Sequence, residues 1–234
     1  GETFDINSGG IDHIPVHHEN EIAQSEGATG KPFVRVWMHA GFLQTADAKM
    51  SKSSGEFLTL SRLVEKGFHP LACRFFCFTA KYRMPLSFSE VALRGSQKAL
   101  QDLWNVVRFL PEEALAGEEP FCAATRERFL EAIADDLNLP KAVAELHGLV
   151  AEAHRAKAMR IYTTLLAMDR VLGLGFDRVR EEGKDLPEAV RTLVREREEA
   201  RRTKDFKKSD ALRDEIAKAG ILMEDTPAGL RWKP

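Results

Sequence analysis

Residues 9–26, "GGIDHIPVHHENEIAQSE", decide how the start of this chain is read. His17 and Glu21 stand four residues apart, one turn beyond Pro15. On a helix, positions i and i+4 share a face. An imidazole and a carboxylate placed side by side there can be half of a zinc site, or an ordinary solvated pair. "HENEIAQSEGA" suits a helix ended by Gly27, while "TFDI" before it and "FVRVWMHAGFL" after it suit strands. Strand, helix and strand in that order predict part of a parallel α/β sheet.

Working outward, the 234 residues suffice for one large domain or two to three small ones. The net charge of -2 supplies no global attraction to nucleic acid, so any RNA contact must come from local patches. Hydrophobic content of 44% with 30% charged residues fits a soluble globular protein. No apolar run approaches the roughly 20 residues that span a bilayer, which predicts no membrane partner. Three cysteines make an odd set rather than a disulfide framework, and predict a reducing, cytoplasmic setting. The opening "GETFDINSGGID" reads as the continuation of something larger.

Beyond residue 60 the periodicity turns helical. "TLSRLVEKG", "PLACRFFCFTA" and "SEVALRGSQKALQDLWNVVRFL" carry helical spacing, with Ser89 as N-cap. Residues 111–120, "PEEALAGEEP", read as a linker. Helices are expected near 122–134, 140–157 and 158–172, with a glycine break at 173–175. Charged helices follow over 187–203 and 207–219, and the tail "GILMEDTPAGLRWKP" reads as a hairpin with Pro227 and Gly229 at its turn. The expected fold is α/β plus mostly α: a partial Rossmann-type parallel sheet, a helical bundle, then a small α+β C-terminal domain.

The second informative stretch is "KMSKSSGEF", Lys49 to Phe57. Two lysines flank small hydroxyl residues ahead of Gly55. A loop of this composition can bring ammonium charges, hydroxyls and backbone N–H groups to phosphates. By composition alone it reads more readily as a solvated loop.

Taken together and in order, "GGIDHIPVHHENEIAQSE", "WMHAGF", "KMSKS", "PLACRFFCFTAKYRMPLSFS", "DDLNLPKA" and the terminal "GILMEDTPAGLRWKP" resemble the C-terminal half of the cysteinyl-tRNA synthetases, a class I family. The resemblance covers essentially the whole chain. It implies residues 1–60 as the second half of the catalytic domain, 61–92 as a connecting helical region, 93–180 as a tRNA-binding bundle and 186–234 as an anticodon-recognising domain. It implies His17 and Glu21 as two of four zinc ligands, the ion taking the substrate thiolate, a soft ligand that serine lacks. Asp12 matches a position near the substrate ammonium, and Trp37 and His39 match the strand bordering the adenylate pocket. Buried strand packing accounts for Trp37 equally well. His39, Lys49, Met50, Ser51, Lys52 and Ser53 fall at ATP-binding positions, with Lys49 and Lys52 as catalytic charges. Arg201, Asp210 and Asp225 fall close to the anticodon, and Trp232 is placed to stack on a base. Arg201 lies in "REREEARRTKD", which by itself reads as a charged helix face. The implied partners are tRNA(Cys), cysteine, ATP with magnesium, zinc and the family's N-terminal half.

Several positions depart from the family pattern. Asn7 stands where a histidine is usual, Ser8 replaces a glycine, Pro15–Val16 replace Phe-Pro, and Glu56 replaces an asparagine. The HIGH signature and the two cysteines that complete the family's zinc set are absent from these residues. Cys73 and Cys77 sit in the apolar run "PLACRFFCFTA", where small buried cysteines are common, and are expected to pack rather than ligate. Two rival readings remain: a non-catalytic tRNA-binding paralogue, and the related ligase that joins cysteine to an amino sugar in mycothiol synthesis. The intact "HHENE" and the long C-terminal region argue against the latter.

Overall fold

The computed structural model describes all residues except 46–58, 184–186, 220, 227–228 and 234; for 181–183, 222, 224–226 and 229–233 it describes the backbone. The chain divides into two compact units, residues 1–57 with 77–90, and residues 58–76 with 91–234.

In the first unit, strands β1 (Phe4–Gly10) and β2 (Val34–Ala40) pair in parallel, with Ile6 opposite Val36 and Gly9 opposite His39. A 3-10 turn (Ile11–His13), a π turn (Ile14–His18) and helix α1 (Glu19–Thr29) connect them. This is the strand–helix–strand unit that the opening stretch predicts. Gly27 does not end the helix. Gly30 does, with φ 67 and its N–H bonded to the Glu26 carbonyl, the left-handed close that glycine supplies most cheaply. The expected strand "FVRVWMHAGFL" is also interrupted. The Gly41 N–H donates to the Tyr82 carbonyl at 2.7 Å, which turns the chain out of β2. The segment resumes as β3 (Leu43–Thr45), parallel to β4 (Leu86–Phe88). Phe4, Ile6 and Val36 are each more than half exposed.

The second unit is helical: α2 (Leu60–Glu65), α3 (Pro70–Cys77, whose last residue belongs to the first unit), α4 (Glu90–Arg108), α5 (Pro120–Ala134), α6 (Leu139–Ala156), α7 (Tyr162–Leu172), α8 (Phe176–Gly183), α9 (Glu188–Arg202) and α10 (Phe206–Lys218). Thr59 caps α2, its hydroxyl accepting from the Arg62 N–H, and α4 begins directly after Ser89. Proline opens α5 and sits in the first turn of α6, where its missing N–H costs nothing. Leu93, Leu100, Leu103, Trp104 and Val107 form the buried stripe of α4, and Ala142, Leu146, Leu149 and Ala153 that of α6. Both follow the three-and-four spacing of a core-facing helix. The expected helix over 158–172 starts later, at Tyr162. Lys157 takes a left-handed conformation (φ 52) that ends α6, and Arg160 is drawn to the Glu119 carboxylate by its N–H and its Nε.

Helix α8 falls where no helix was expected. Its buried face is made by Phe176, Val179 and Arg180, so a charged residue supplies part of the core contact. Arg180 is 1% exposed, and its Nη1 donates to the carbonyls of Arg108 (2.9 Å) and Leu110 (2.7 Å). These are carbonyls at and just past the end of α4, which lack helical partners. Its Nη2 donates to Glu112 Oε1, which also accepts from Arg191 of α9. Beside this junction Phe109 packs with Val190, Val194, Ile216 and Met223, the core under α9, α10 and the antiparallel hairpin β5 (Leu222–Thr226) and β6 (Gly229–Lys233). Among the described residues, no helix is long and apolar enough to cross a membrane.

Arg180→Ala leaves two buried carbonyls unbonded at roughly 1–3 kcal/mol each. Urea denaturation is expected to show a loss of about 2–5 kcal/mol. Arg180→Met, which restores volume without donors, is expected to recover only part of it. An unchanged midpoint for both variants would refute the capping role.

Candidate functional site

The candidate site gathers at the carboxyl ends of β1 and β2, where open parallel sheets characteristically take ligands. Three loop-borne imidazoles, His13, His17 and His18, meet there, with ring centroids 5.0–5.5 Å apart. One ligand atom from each lies within 4.8 Å of the others. The π turn sets this up. A wider turn running directly into α1 points consecutive histidines in different directions: His18 is buried and His17 exposed.

His17 Nε2 stands 3.5 Å from Glu21 Oε1. Two ligands of one tetrahedral zinc, each at about 2.0–2.2 Å, stand about 3.4 Å apart. The pair therefore fits two corners of such an ion, and both side chains are open to solvent. His18 serves differently. Its Nδ1 lies 2.8 Å from His39 Nε2, so this ring ties the loop to the end of β2. Burial foremost, then the neighbouring imidazoles of His39, His13 and His17, hold its pKa below the ordinary histidine value, with Glu21 opposing.

Trp37 and His39 are two apart on β2 and so share a face. Their rings stack, 5.8 Å apart and 7° from parallel, and Trp37 also lies 4.6 Å from His18. The half-buried Trp37 packs both against these imidazoles and against the ring of Phe33, 6.2 Å away, which in turn meets Phe4. Glycine makes the room. A β-carbon on Gly9 would come 2.7 Å from His18 Cε1 and 3.2 Å from His13 Nδ1, and Asp12 Oδ1 occupies the space a β-carbon on Gly10 would take. Asp12 is thus folded back over the glycine pair. The structure brings together His17, Glu21, Trp37, His39 and Asp12 in one unit. Lys49, Met50, Ser51, Lys52 and Ser53, with Glu56, lie outside the described residues. His13 and His18 join the cluster without having been singled out in the sequence. Their signal was present, three histidines within six residues, but the spacing that the sequence offered paired His17 with Glu21 alone. Cys73 is half-buried and Cys77 exposed, and neither belongs to the metal-capable cluster found among the described residues.

At the other end of the chain, Arg201 lies in the last turn of α9 and Asp210 in α10, both exposed. Asp225 and Trp232 lie on β5 and β6, opposite Leu230 and Met223. One candidate escaped the sequence reading. Phe206, at the start of α10, is 64% exposed, and its neighbours in the chain include Lys204, Lys207 and Lys208. The signal was an aromatic residue between cations in "TKDFKK". Arg202 forks onto both oxygens of Glu199 and holds that carboxyl below its usual range.

Comparison with known proteins adds independent findings. Residues 1–98 match the class I (C) tRNA synthetase catalytic domain, 128–177 the DALR domain, and 183–232 the cysteinyl-tRNA ligase anticodon binding domain. The cysteine–tRNA ligase of Nitrosomonas eutropha is 38% identical over 249 residues, covering 100% of this chain and 53% of that protein. That of Methylococcus capsulatus is 40% identical, with coverage of 100% and 53%, and that of Chlamydia pneumoniae 41% identical, with coverage of 100% and 52%. The chain thus spans about half the length of the curated relatives it matches. A crystal structure of Agrobacterium radiobacter LeuRS in a ternary complex with tRNA and LeuAMS superimposes with a TM-score of 0.55 at 16% identity, over 76% of this chain and 27% of that one, a likeness of fold.

Gly9→Ala is expected to displace the His13 and His18 rings, since His18 is held on its far side by His39. Overpacking of this kind costs about 1–3 kcal/mol. Side-chain NMR of the histidines checks it: resonances of His13, His18 and His39 should shift while those of His147 and His154 stay. Unmoved resonances at all five would show that the glycine leaves slack.

Proposed function

We propose a function from one premise: the chain belongs to the cysteine–tRNA ligase family. The natural-length protein that carries these residues activates cysteine with ATP and transfers it to tRNA(Cys). The carrying observation is the 3.5 Å approach of His17 Nε2 to Glu21 Oε1 at the carboxyl ends of two parallel strands.

In this reading residues 1–60 belong to the catalytic domain, 61–92 connect, 93–180 form the tRNA-binding bundle and 186–234 read the anticodon. His17 and Glu21 hold zinc, whose remaining ligands come from outside this chain. When bound, the ion supplies a soft centre that takes a thiolate and rejects a hydroxyl. His18 fixes the loop through His39, Trp37 walls the cluster, and Asp12 faces the substrate ammonium. Lys49 and Lys52 bring positive charge to the phosphates of ATP with magnesium as the cysteine carboxylate attacks the α-phosphate, breaking its bond to the β-phosphate and releasing pyrophosphate to leave cysteinyl-adenylate, with Met50, Ser51 and Ser53 completing the loop. A hydroxyl of the tRNA 3′-terminal ribose then takes the aminoacyl group from the adenylate, with AMP as the leaving group. Arg201, Asp210 and Asp225 read base edges, while Trp232 and the exposed ring of Phe206 offer stacking faces. Free cysteines suit a reducing cytoplasm.

The test is pyrophosphate exchange. The natural-length protein is expected to exchange ATP and pyrophosphate with cysteine and not with serine. His17→Ala is expected to lose both the exchange and the bound zinc, measured by metal analysis. The 234-residue chain alone is expected to give no exchange, because its zinc set is incomplete. Tight tRNA(Cys) binding by the natural-length protein without any exchange would favour a tRNA-binding module instead. Transfer of cysteine to an amino sugar would favour the mycothiol-type ligase.

A further inference from the structure

A basin of about 680 Å3 opens between α3 and the turn joining α7 to α8, within the second unit. Its floor is rigid. The Asp169 carboxylate, buried, accepts the N–H groups of Leu174 (2.5 Å) and Phe176 (2.8 Å). From beneath, Trp104 Nε1 donates to the Leu174 carbonyl at 2.9 Å. Gly173 and Gly175 both take positive φ, 63 and 76, so side chains there are disfavoured and the floor stays low.

Guanidinium groups fill the space the glycines leave. Arg74 Nη1 donates to the Gly173 carbonyl at 2.8 Å and occupies the position a β-carbon on Gly173 would take. Arg178 Nη2 lies 3.3 Å from the corresponding position on Gly175. Arg170, in the last turn of α7, also lines the basin. Two carboxylates share the wall, and both are engaged by backbone: Asp169 as above, and Asp177 by the N–H of Arg178 at 2.8 Å. Neither Arg170 nor Arg178 has an acidic partner among the described residues, and both are exposed.

Two exposed guanidinium forks, Arg170 and Arg178, line the basin beside the glycine floor, and such planar donors are the groups that take phosphate oxygens. The basin is open rather than enclosed, with Leu71 and Leu166 beside its charged residues, which suits a strand passing across it better than a small molecule swallowed whole. We infer that this basin grips backbone phosphates of bound tRNA through Arg170 and Arg178, over a glycine floor whose Gly173 carbonyl is held by Arg74. The inference rests on the tRNA-binding reading above and adds a contact that carries no sequence information. It positions the RNA rather than identifying it.

The test uses the natural-length protein and filter binding of tRNA(Cys) across a salt series. The Arg170→Gln/Arg178→Gln pair is expected to bind about tenfold or more weakly at low salt. It should flatten the dependence of log K on log salt by about 1.5–2. The loss should be the same for an unrelated tRNA. The Arg170→Lys/Arg178→Lys pair should keep the wild-type slope. Cysteine-dependent pyrophosphate exchange, which needs no tRNA, should be unchanged in both. Wild-type slope and affinity in the Gln pair would overturn the basin's role while leaving the tRNA reading intact. Failure of the unaltered protein to bind tRNA would overturn both.

Discussion

A single buried guanidinium decides how the second unit closes. Helix α4 must stop somewhere, and its last carbonyls need donors. Arg180 supplies them from α8, bonding the Arg108 and Leu110 carbonyls and then Glu112. The chain leaving α4 is thereby held where Phe109 enters the core under α9 and α10. Glu112 Oε1 also accepts from Arg191, so one carboxylate joins a residue of the helical bundle to a residue of the C-terminal helices. The usual objection to buried charge, that desolvation outweighs attraction, is met here in part by geometry: two of the oxygens that Arg180 meets are backbone carbonyls at and just past the end of a helix, where helical donors run out.

The candidate site obeys a constraint of space. At the ends of β1 and β2 four imidazoles and an indole crowd against backbone; Gly9 leaves the room that His13 and His18 use, and Gly10 the room that Asp12 uses. The cost of that crowding falls on His18, whose burial disfavours its charged form. What results is a cluster of imidazole nitrogens beside one carboxylate, open on the side of His17 and Glu21.

Much of this was legible in the sequence, for definite reasons. The strand–helix–strand order followed from periodicity, and the His17–Glu21 approach from helical spacing, because both are local. The break at Gly41 and the pairing of β3 with β4 were not, since they depend on Tyr82 and Leu86, some forty residues away along the chain. Helix α8 was hidden because hydrophobic patterning counts arginine as surface, whereas Arg180 is core. Phe206 left no such pattern to read, because nothing in "TKDFKK" alone tells an exposed aromatic residue from a packed one. The bond between His18 and His39 joins a loop to a strand and leaves no mark in either stretch alone.

That bond also fixes a bookkeeping of protons. A neutral imidazole carries one hydrogen on two nitrogens. If His18 donates from Nδ1, its Nε2 is left with a bare lone pair, and His39, accepting at Nε2, must carry its hydrogen on Nδ1. If His39 donates instead, both assignments invert. The two rings therefore switch tautomer together or not at all, so whatever engages the far nitrogen of one dictates which edge the other presents.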